Sequence, residues 1–330
     1  MALKKLSLKT TVLHQNRRLD QVLSEWLPQA LGQPLSKGKI RKLIIAGAVY
    51  LNRKRVRIAS KELLAHAQID VFVDLNKLNE GASQVNGVAP PLFQFSADRI
   101  LFEDAHLIAV DKPPGLPTQP TLDEARVNLY ASLKRFLAQR SNLPEGQVYL
   151  GLHHRLDRDT SGVILFTKSK EANPGIAEVF SSHQAQKTYQ ALSLKKGLES
   201  LPKTWTFKNY LSRAKLPGKV NKSCSVHSGG DFAQTEFEVV EQFEKGIWIE
   251  ARPKTGRTHQ IRVHLSEQGL PIFGDTLYGG AKTIGLQGVP RVMLHASRLE
   301  FIHPITKESL VIEAKIPSDL SACIKALKDK

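Results

Sequence analysis

Residues 76–91, NKLNEGASQVNGVAPP, carry neither the 3.6-residue period of a helix nor the alternation of a strand. A polar run holding glycines and a Pro-Pro pair reads as a linker, and its position limits what the chain can build. The expected layout is a small domain over residues 1–75, a linker over 76–94 and a larger domain over 95–330. A total of 330 residues suits one full catalytic core plus a lesser module. Charge divides along the same line. The sequence carries 47 Lys and Arg against 31 Asp and Glu, a net +16, and residues 1–75 hold 14 of the basic and 5 of the acidic side chains. Such an excess suggests a polyanionic partner, although charge alone leaves a merely solvated basic face equally open.

Several classes fall away. The longest apolar run, Leu43 to Val49, is far below the roughly 20 residues a membrane span needs. The opening MALKKLSLKT lacks a signal-peptide apolar region, so the chain is expected to be cytoplasmic, away from membranes, and to act as a monomer. Cys224 and Cys323 are too few for a disulfide framework and share no CxxC spacing.

Upstream of the linker, Leu19, Val22, Leu23, Trp26 and Leu27 repeat at helical spacing. Ser36 is placed to cap a second helix, with Ile40, Leu43 and Ile44 inward and Gly47 ending it. Pro28 to Pro34 reads as an elongated connection between the two. Lys37, Lys39, Arg41 and Lys42 cannot all face a core and must line a cationic surface. Residues 48–51 and Val56 flank the turn Arg53, Lys54, Arg55 as a strand pair, and Ile69 to Val73 adds a third strand. Beyond the linker, residues 100–104 and 107–110 alternate as paired strands, and Lys112-Pro113-Pro114-Gly115 forces rigid, extended backbone. The remainder mixes short strands and helices without βαβ regularity. The fold class expected is therefore α+β, a larger domain on a mixed, mostly antiparallel central sheet flanked by helices and loops, preceded by a small α+β domain.

The densest stretch is GLHHRLDRDTSG, residues 151–162, immediately before the apolar strand 163–166. Polar groups there must find partners or serve a site. Asp157 lies between Arg155 and Arg158, which are expected to keep its carboxylate ionised and aimed. A turn-capping Asp157 with two surface arginines is the plain alternative. Thr258 is placed to cap a helix through Ile261, Val263 and Leu265 that stops at Gly269, so that Arg262 would sit on a rigid element. His259 and His264, five apart, do not share a helix face as a metal pair would, and no metal or other cofactor is expected. Ser161 lacks both a GxSxG frame and an evident base partner.

Two resemblances then organise these residues. The order RLD, then SxxxIRxLIxxGxVxxN, over about residues 15–75 resembles the S4 RNA-binding module. That implies an RNA-gripping surface from Lys37, Lys39, Arg41 and Lys42 on the second helix and Arg53, Lys54 and Arg55 at the turn. A small unit docking on protein is the alternative reading. HRLDxxTSG at residues 154–162 resembles the signature of the RluA-type RNA pseudouridine synthases. DAHLIAVDKPPGLP at 104–117, KTYQA at 187–191, GRTHQIRVH at 256–264, PIFGD at 271–275 with Tyr278-Gly279, and LHA at 294–296 follow in family order. The resemblance covers about residues 95–315. It implies Asp157 as the catalytic carboxylate, Tyr189 stacking on the target base, Arg262 paired with Asp157, and Arg155 filling the space a flipped uridine leaves. His154, Lys187 and Arg257 would join in holding RNA.

The expected activity is a cofactor-free isomerisation of uridine to pseudouridine, in large-subunit (23S) ribosomal RNA or alternatively in tRNA. A non-catalytic RNA-binding or ribosome-assembly factor is the rival of another class. A glycosidase using Asp157 with Asp159 is a third reading.

Overall fold

The computed structural model describes residues 3–33, 35–74, 93–120, 127–195, 201–214 and 222–329, without the Lys42 side chain. The expected linker, residues 76–94, and Pro34 lie almost wholly or wholly outside the described residues. The chain divides into two compact units, Met1–Leu92 and Phe93–Lys330.

In the first unit, helices α1 (Leu19–Leu31) and α2 (Lys37–Ala46) lie on a four-stranded antiparallel sheet of β1 (Leu3–Lys9), β2 (Val49–Leu51), β3 (Lys54–Val56) and β4 (Gln68–Asp74), in the order β1-β4-β2-β3. The expected stripe closes the core: Leu19, Val22, Leu23 and Leu27 meet Ile40, Ile44, Val49, Ile69 and Val71. The Ser36 hydroxyl accepts from the Lys39 amide at 3.2 Å, and Gly47 ends α2 with φ +81°. Asn52 and Arg53 both take positive φ, 47° and 64°, which makes the tight turn that two-residue hairpins favour.

Two expectations fail here. α1 runs through Pro28 and stops at Gly32, so the connection is shorter than the Pro28 to Pro34 stretch suggested. A proline near the last turn forfeits one hydrogen bond, a loss the buried Leu23 and Leu27 outweigh. The strand β1 was not expected at all, because its lysines masked the alternation of Leu6 and Leu8, which pack on the core.

The second unit is built on one mixed sheet with the path β11-β10-β12-β13-β9-β16-β8-β6-β5. Its strands are β5 (Ile100–Glu103), β6 (Leu107–Lys112), β7 (Gly151–Leu152), β8 (Ser161–Thr167), β9 (Gln186–Leu194), β10 (Thr204–Ala214), β11 (Lys222–Ser225), β12 (Asp231–Gln242), β13 (Gly246–Pro253), β16 (Leu294–Ile302) and β17 (Ser309–Glu313). A small separate hairpin, β14 (Thr283–Ile284) and β15 (Gln287–Gly288), stands apart. Along the path only β16 and β8 pair in parallel. β6 and β8 are covered on both faces. Ile108, Val110, Ile164 and Phe166 meet the helix α3 (Leu129–Arg140), and Leu107, Ala109, Val163 and Leu165 meet α4 (Ala172–Ser181). A strand buried on both sides reads as an unbroken apolar run, as 163–166 does. Helices α5 (Gln260–Glu267) and α6 (Ser318–Lys328) complete the largest core cluster with Ala191, Ile247, Ile249 and Phe273.

The close parallel pairing of β8 and β16 explains the glycine after Thr160-Ser161. Gly162 has φ +108°, and a Cβ there would lie 2.1 Å from the Ala296 carbonyl oxygen. No other residue fits.

Candidate active site

Asp157 sits on the loop between β7 and β8, and that loop is held by its backbone. Thr118 Oγ1 donates to the Leu156 carbonyl at 2.9 Å. Lys112, fully buried, donates from Nζ to the carbonyls of Pro113, Leu116 and Arg158 at 2.9, 2.8 and 2.9 Å. The lysine thus stitches the Pro-Pro-Gly turn to the Asp157 loop. Burial pushes its amine down to about 7, although Asp159 and Asp157 pull the other way.

The Asp157 carboxylate is met by a distant residue. Arg262 donates from one terminal nitrogen at 3.1 Å, while its Nε and other terminal nitrogen grip Asp275 at 2.6 and 2.8 Å. Arg262 and Asp275 are buried, and Asp157 keeps 19% of its side chain exposed. One guanidinium therefore serves two carboxylates, bidentate to the inner one. Burial alone would loosen the arginine's hold on its proton. Asp275 and Asp157 reverse this and hold it above its ordinary value. Tyr278 supports the arrangement, with its ring 5.0 Å from the guanidinium and its hydroxyl bonded to the Ser223 backbone.

Arg262 lies in the first turn of α5, as expected, but Thr258 does not cap that helix. His259 occupies the cap with φ +57°, and the Gln260 side chain does the tying instead. Gln260 accepts from Thr255 and the Arg257 amide and donates to Gln234 and Thr235. Thr258 instead accepts from Arg213 at 3.1 Å.

The site residues expected from sequence converge on one pocket of about 320 Å³: Asp157, Tyr189, Arg262, Arg155, His154, Lys187 and Arg257 all line it. Tyr189 and Lys187 project from the same face of β9. Burial, and then the Asp157 charge, push the Tyr189 phenol well above its ordinary value, so the ring stays neutral at physiological pH. Lys187 meets no carboxylate among the described residues, and burial lowers its amine.

Two expectations about charge are corrected. Arg155 and Arg158 do not hold Asp157. Arg158 turns to Asp159 at 2.9 and 3.1 Å, and Arg155 is exposed without an ionic partner among the described residues. The turn closed by the Thr160 amide on the Asp157 carbonyl, 3.2 Å, sends sequence neighbours in different directions. Asp159 is drawn off by Arg158 and does not line the pocket, so the two-carboxylate arrangement is not assembled. His154 is a neutral wall, because its Nε2 accepts the Leu165 amide at 2.9 Å, its ring stacks on Phe180, and burial pushes it down to about 3.

Ser161 does have a histidine beside it, His295 Nδ1 at 2.9 Å, a pairing 134 residues apart that no local spacing announces. Both are buried within the sheet and neither lines the pocket. His264 bonds Thr235 and Asn209, while His259 faces Asp157, with Nε2 3.7 Å from the carboxylate and Nδ1 2.9 Å from the Tyr278 hydroxyl. His259, Asp275 and Tyr278 are the functional neighbours that sequence reasoning missed. Asp275 and Tyr278 stood in quoted motifs without a role.

In the first unit, Lys37, Arg53 and Lys54 are exposed, and Arg55 caps the Tyr50 ring and hydroxyl. Arg41 is committed to Asp20 at 2.9 Å, which Arg18 grips from the other side. Arg41 is therefore less free for RNA than its place in the cationic row suggested.

Solved structures carry the same architecture. Human RNA Pseudouridylate Synthase Domain Containing 4 aligns with a TM-score of 0.54 at 24% identity, over 70% of this chain and 93% of that one. The fold is that of the RNA pseudouridylate synthases. Ribosomal large subunit pseudouridine synthase C of Vibrio vulnificus is 30% identical over 320 residues, 94% of this chain and 93% of that protein. Ribosomal large subunit pseudouridine synthase D of Xanthomonas campestris is 30% identical over 327 residues, 95% and 89%. Residues 106–267 match the family described as RNA pseudouridylate synthase. The chain belongs to that family of isomerases.

Proposed function

We propose that this chain converts uridine to pseudouridine in large-subunit ribosomal RNA, with Asp157 acting on the target nucleotide. The observation that carries the reading is one carboxylate, partly open to a pocket, held by an arginine whose Nε and other terminal nitrogen bind Asp275. The names of the relatives synthase C and synthase D support the ribosomal target.

In the reaction the bond between N1 of uracil and C1′ of the ribose breaks, the base turns, and C5 bonds to C1′. The proton on C5 leaves and N1 gains one, so the product is an isomer. Asp157 enables the bond cleavage as nucleophile or base. Tyr189, held neutral, offers its face to the uracil. Turning a nucleotide out of its stack costs a few kcal/mol. Arg155, exposed on the pocket wall and without an ionic partner among the described residues, fills the vacated space, and Lys187 and Arg257 hold adjacent phosphates. Lys37, Lys39, Lys42, Arg53, Lys54 and Arg55 of the first unit add sequence-independent grip in the manner of an S4 module.

Asp157→Asn should lower turnover by at least about a thousandfold with RNA affinity kept, measured by tritium release from RNA labelled at C5 of uridine. A variant that still turns over refutes the role of Asp157. Mapping pseudouridine in cells lacking the chain tests the target: the missing position should lie in large-subunit ribosomal RNA, and a loss confined to tRNA refutes that assignment.

A further inference from the structure

His259 lies in the pocket wall beside Asp157, with 14% of its side chain exposed. Its backbone takes φ +57° at the start of α5, and its carbonyl accepts from the Val263 amide at 2.9 Å. The imidazole reaches two neighbours. Nδ1 is 2.9 Å from the Tyr278 hydroxyl, and Nε2 is 3.7 Å from Asp157 Oδ2.

The protons at Tyr278 decide which ring nitrogen carries hydrogen. A phenol has one proton to give and two lone pairs. Tyr278 accepts from the Ser223 amide at 2.9 Å and donates to the Ser223 carbonyl at 3.0 Å. Ser223 is buried and stands opposite Arg213 in the pairing of β10 with β11. The Val226 amide bonds the Tyr210 carbonyl in that ladder, so by antiparallel alternation Ser223 turns its own amide and carbonyl away from β10. Taking the phenol proton from that carbonyl would strip a buried acceptor of its partner, at a cost. The second lone pair of Tyr278 must then meet a donor, so Nδ1 carries the ring proton and Nε2 is bare. Burial holds the imidazole below its ordinary value against the pull of Asp157, and the ring stays neutral at physiological pH.

Nε2 thus turns a lone pair towards a carboxylate that also offers only lone pairs. Arg262 serves Oδ2 at 3.1 Å, but Nε2 receives no hydrogen bond among the described residues. The place beside it suits an incoming donor.

We propose that Nε2 of His259 accepts a hydrogen bond from the 2′-hydroxyl of the target ribose, so that this histidine selects uridine over deoxyuridine. The inference rests on the proposed function and adds which sugar the pocket admits. Within an RNA strand a uridine offers two strong donors, the 2′-hydroxyl and N3–H, because its 3′ and 5′ oxygens are phosphate esters and its carbonyls only accept. N3–H lies across the uracil ring from the glycosidic bond. The 2′-hydroxyl sits on the carbon next to C1′, where Asp157 acts, and so falls within reach of a nitrogen 3.7 Å from that carboxylate. It is also the group by which a protein tells RNA from DNA.

The test uses the full chain and fluorescein-labelled RNA 12-mers centred on the uridine that the mapping identifies, with ribose, 2′-deoxyribose or 2′-fluororibose at that position alone. Fluorine keeps the carbon electronegative and removes the donor. Turnover leaves the 2′-hydroxyl in place, so anisotropy reads it in substrate and product alike. The wild-type chain should bind the ribose probe roughly 3- to 10-fold more tightly than the other two. His259→Asn keeps a donor for Tyr278 and suits a positive φ, but has nothing at the place of Nε2. It should weaken the ribose probe to the level of the others and leave those two unchanged. His259→Gly, unstrained at the same φ, should do likewise, and it reads the contact even if the asparagine variant folds poorly. Equal wild-type affinity for the three probes overturns the proposal, and so does a ribose preference that survives both substitutions. A loss shared equally by all three probes also overturns it, since His259 would then hold the fold rather than the sugar. If the wild-type chain releases no tritium from any RNA, the proposed function fails, and uridine 12-mers built with the same three sugars still read the histidine.

Discussion

The two units each contain a buried aspartate network, and the two networks have opposite stoichiometry. In the first unit one carboxylate, Asp20, is shared by two half-exposed arginines, Arg18 and Arg41. In the second, one buried arginine, Arg262, is shared by two carboxylates, Asp157 and Asp275. The first arrangement leaves surplus positive charge on a surface. The second leaves surplus negative charge, and places it where a pocket opens. Burial would raise the Asp20 carboxyl, but hydrogen bonds from both arginines overcome this and hold it below the usual range. Its contribution is present above about pH 4 and is lost as pH falls through the lowered value.

The comparison breaks most readily at Arg262. Arg262→Leu strands Asp275 as a buried, unpaired charge and should destabilise the second unit by about 3–5 kcal/mol while abolishing turnover. Urea unfolding alongside tritium release reads both, and a stable, active variant would show that the two carboxylates do not depend on the arginine.

Lys112→Met sharpens the claim that geometry, as well as charge, sets Asp157. It leaves three carbonyls unserved and should cost kcat about a hundredfold with little change in KM. An unchanged kcat would mean the loop holds its shape without that lysine.

Buried histidines test burial without a counter-ion. Burial is the first cause that pushes His264 and His295 down to about 4. Because their folded values lie below the unfolded 6.5, they favour folding above that pH and lose the contribution as pH falls towards 4. Each should account for on the order of 2 kcal/mol by then. His295→Gln should flatten the stability of the second unit between pH 6.5 and 4, and an unaltered pH profile would remove His295 from that account. The smallest effect belongs to the first unit. Arg41→Gln should cost under about 1 kcal/mol, because the side chain is half exposed and Arg18 still holds Asp20. A larger loss in thermal unfolding would mean the two networks are more alike than their exposures suggest.

Much of this was legible in the sequence wherever the cause is local. Ser36 and Gly47 bound a helix because a cap and a left-handed terminus are properties of a few consecutive residues. The unbroken run 163–166 announced a strand covered on both faces. The seven residues expected around the pocket do gather there, since motifs in fixed order carry positions that periodicity cannot. The partner of Asp157 was readable only through such a motif; charge adjacency pointed to Arg155 and Arg158, which the turn at Thr160 disperses. Asp275, the His295 beside Ser161, and the pairing of β1 with β4 are long-range choices made by packing, and no local pattern distinguishes them. Thr258 had the chemistry of a cap, but Gln260 outcompeted it by bonding four groups at once.

The contact between Gly162 and Ala296 has a reach beyond its size. Two chain segments that both border the reaction chamber touch there through bare main chain, with no side chain between them to compress or rotate. The spacing of those two segments, which reach the pocket at Thr160 and Leu294, is thus set by atoms every amino acid shares. Widening that spacing would require remaking the parallel pairing of β8 and β16, whereas the pocket lining, built largely from side chains, stays open to substitution.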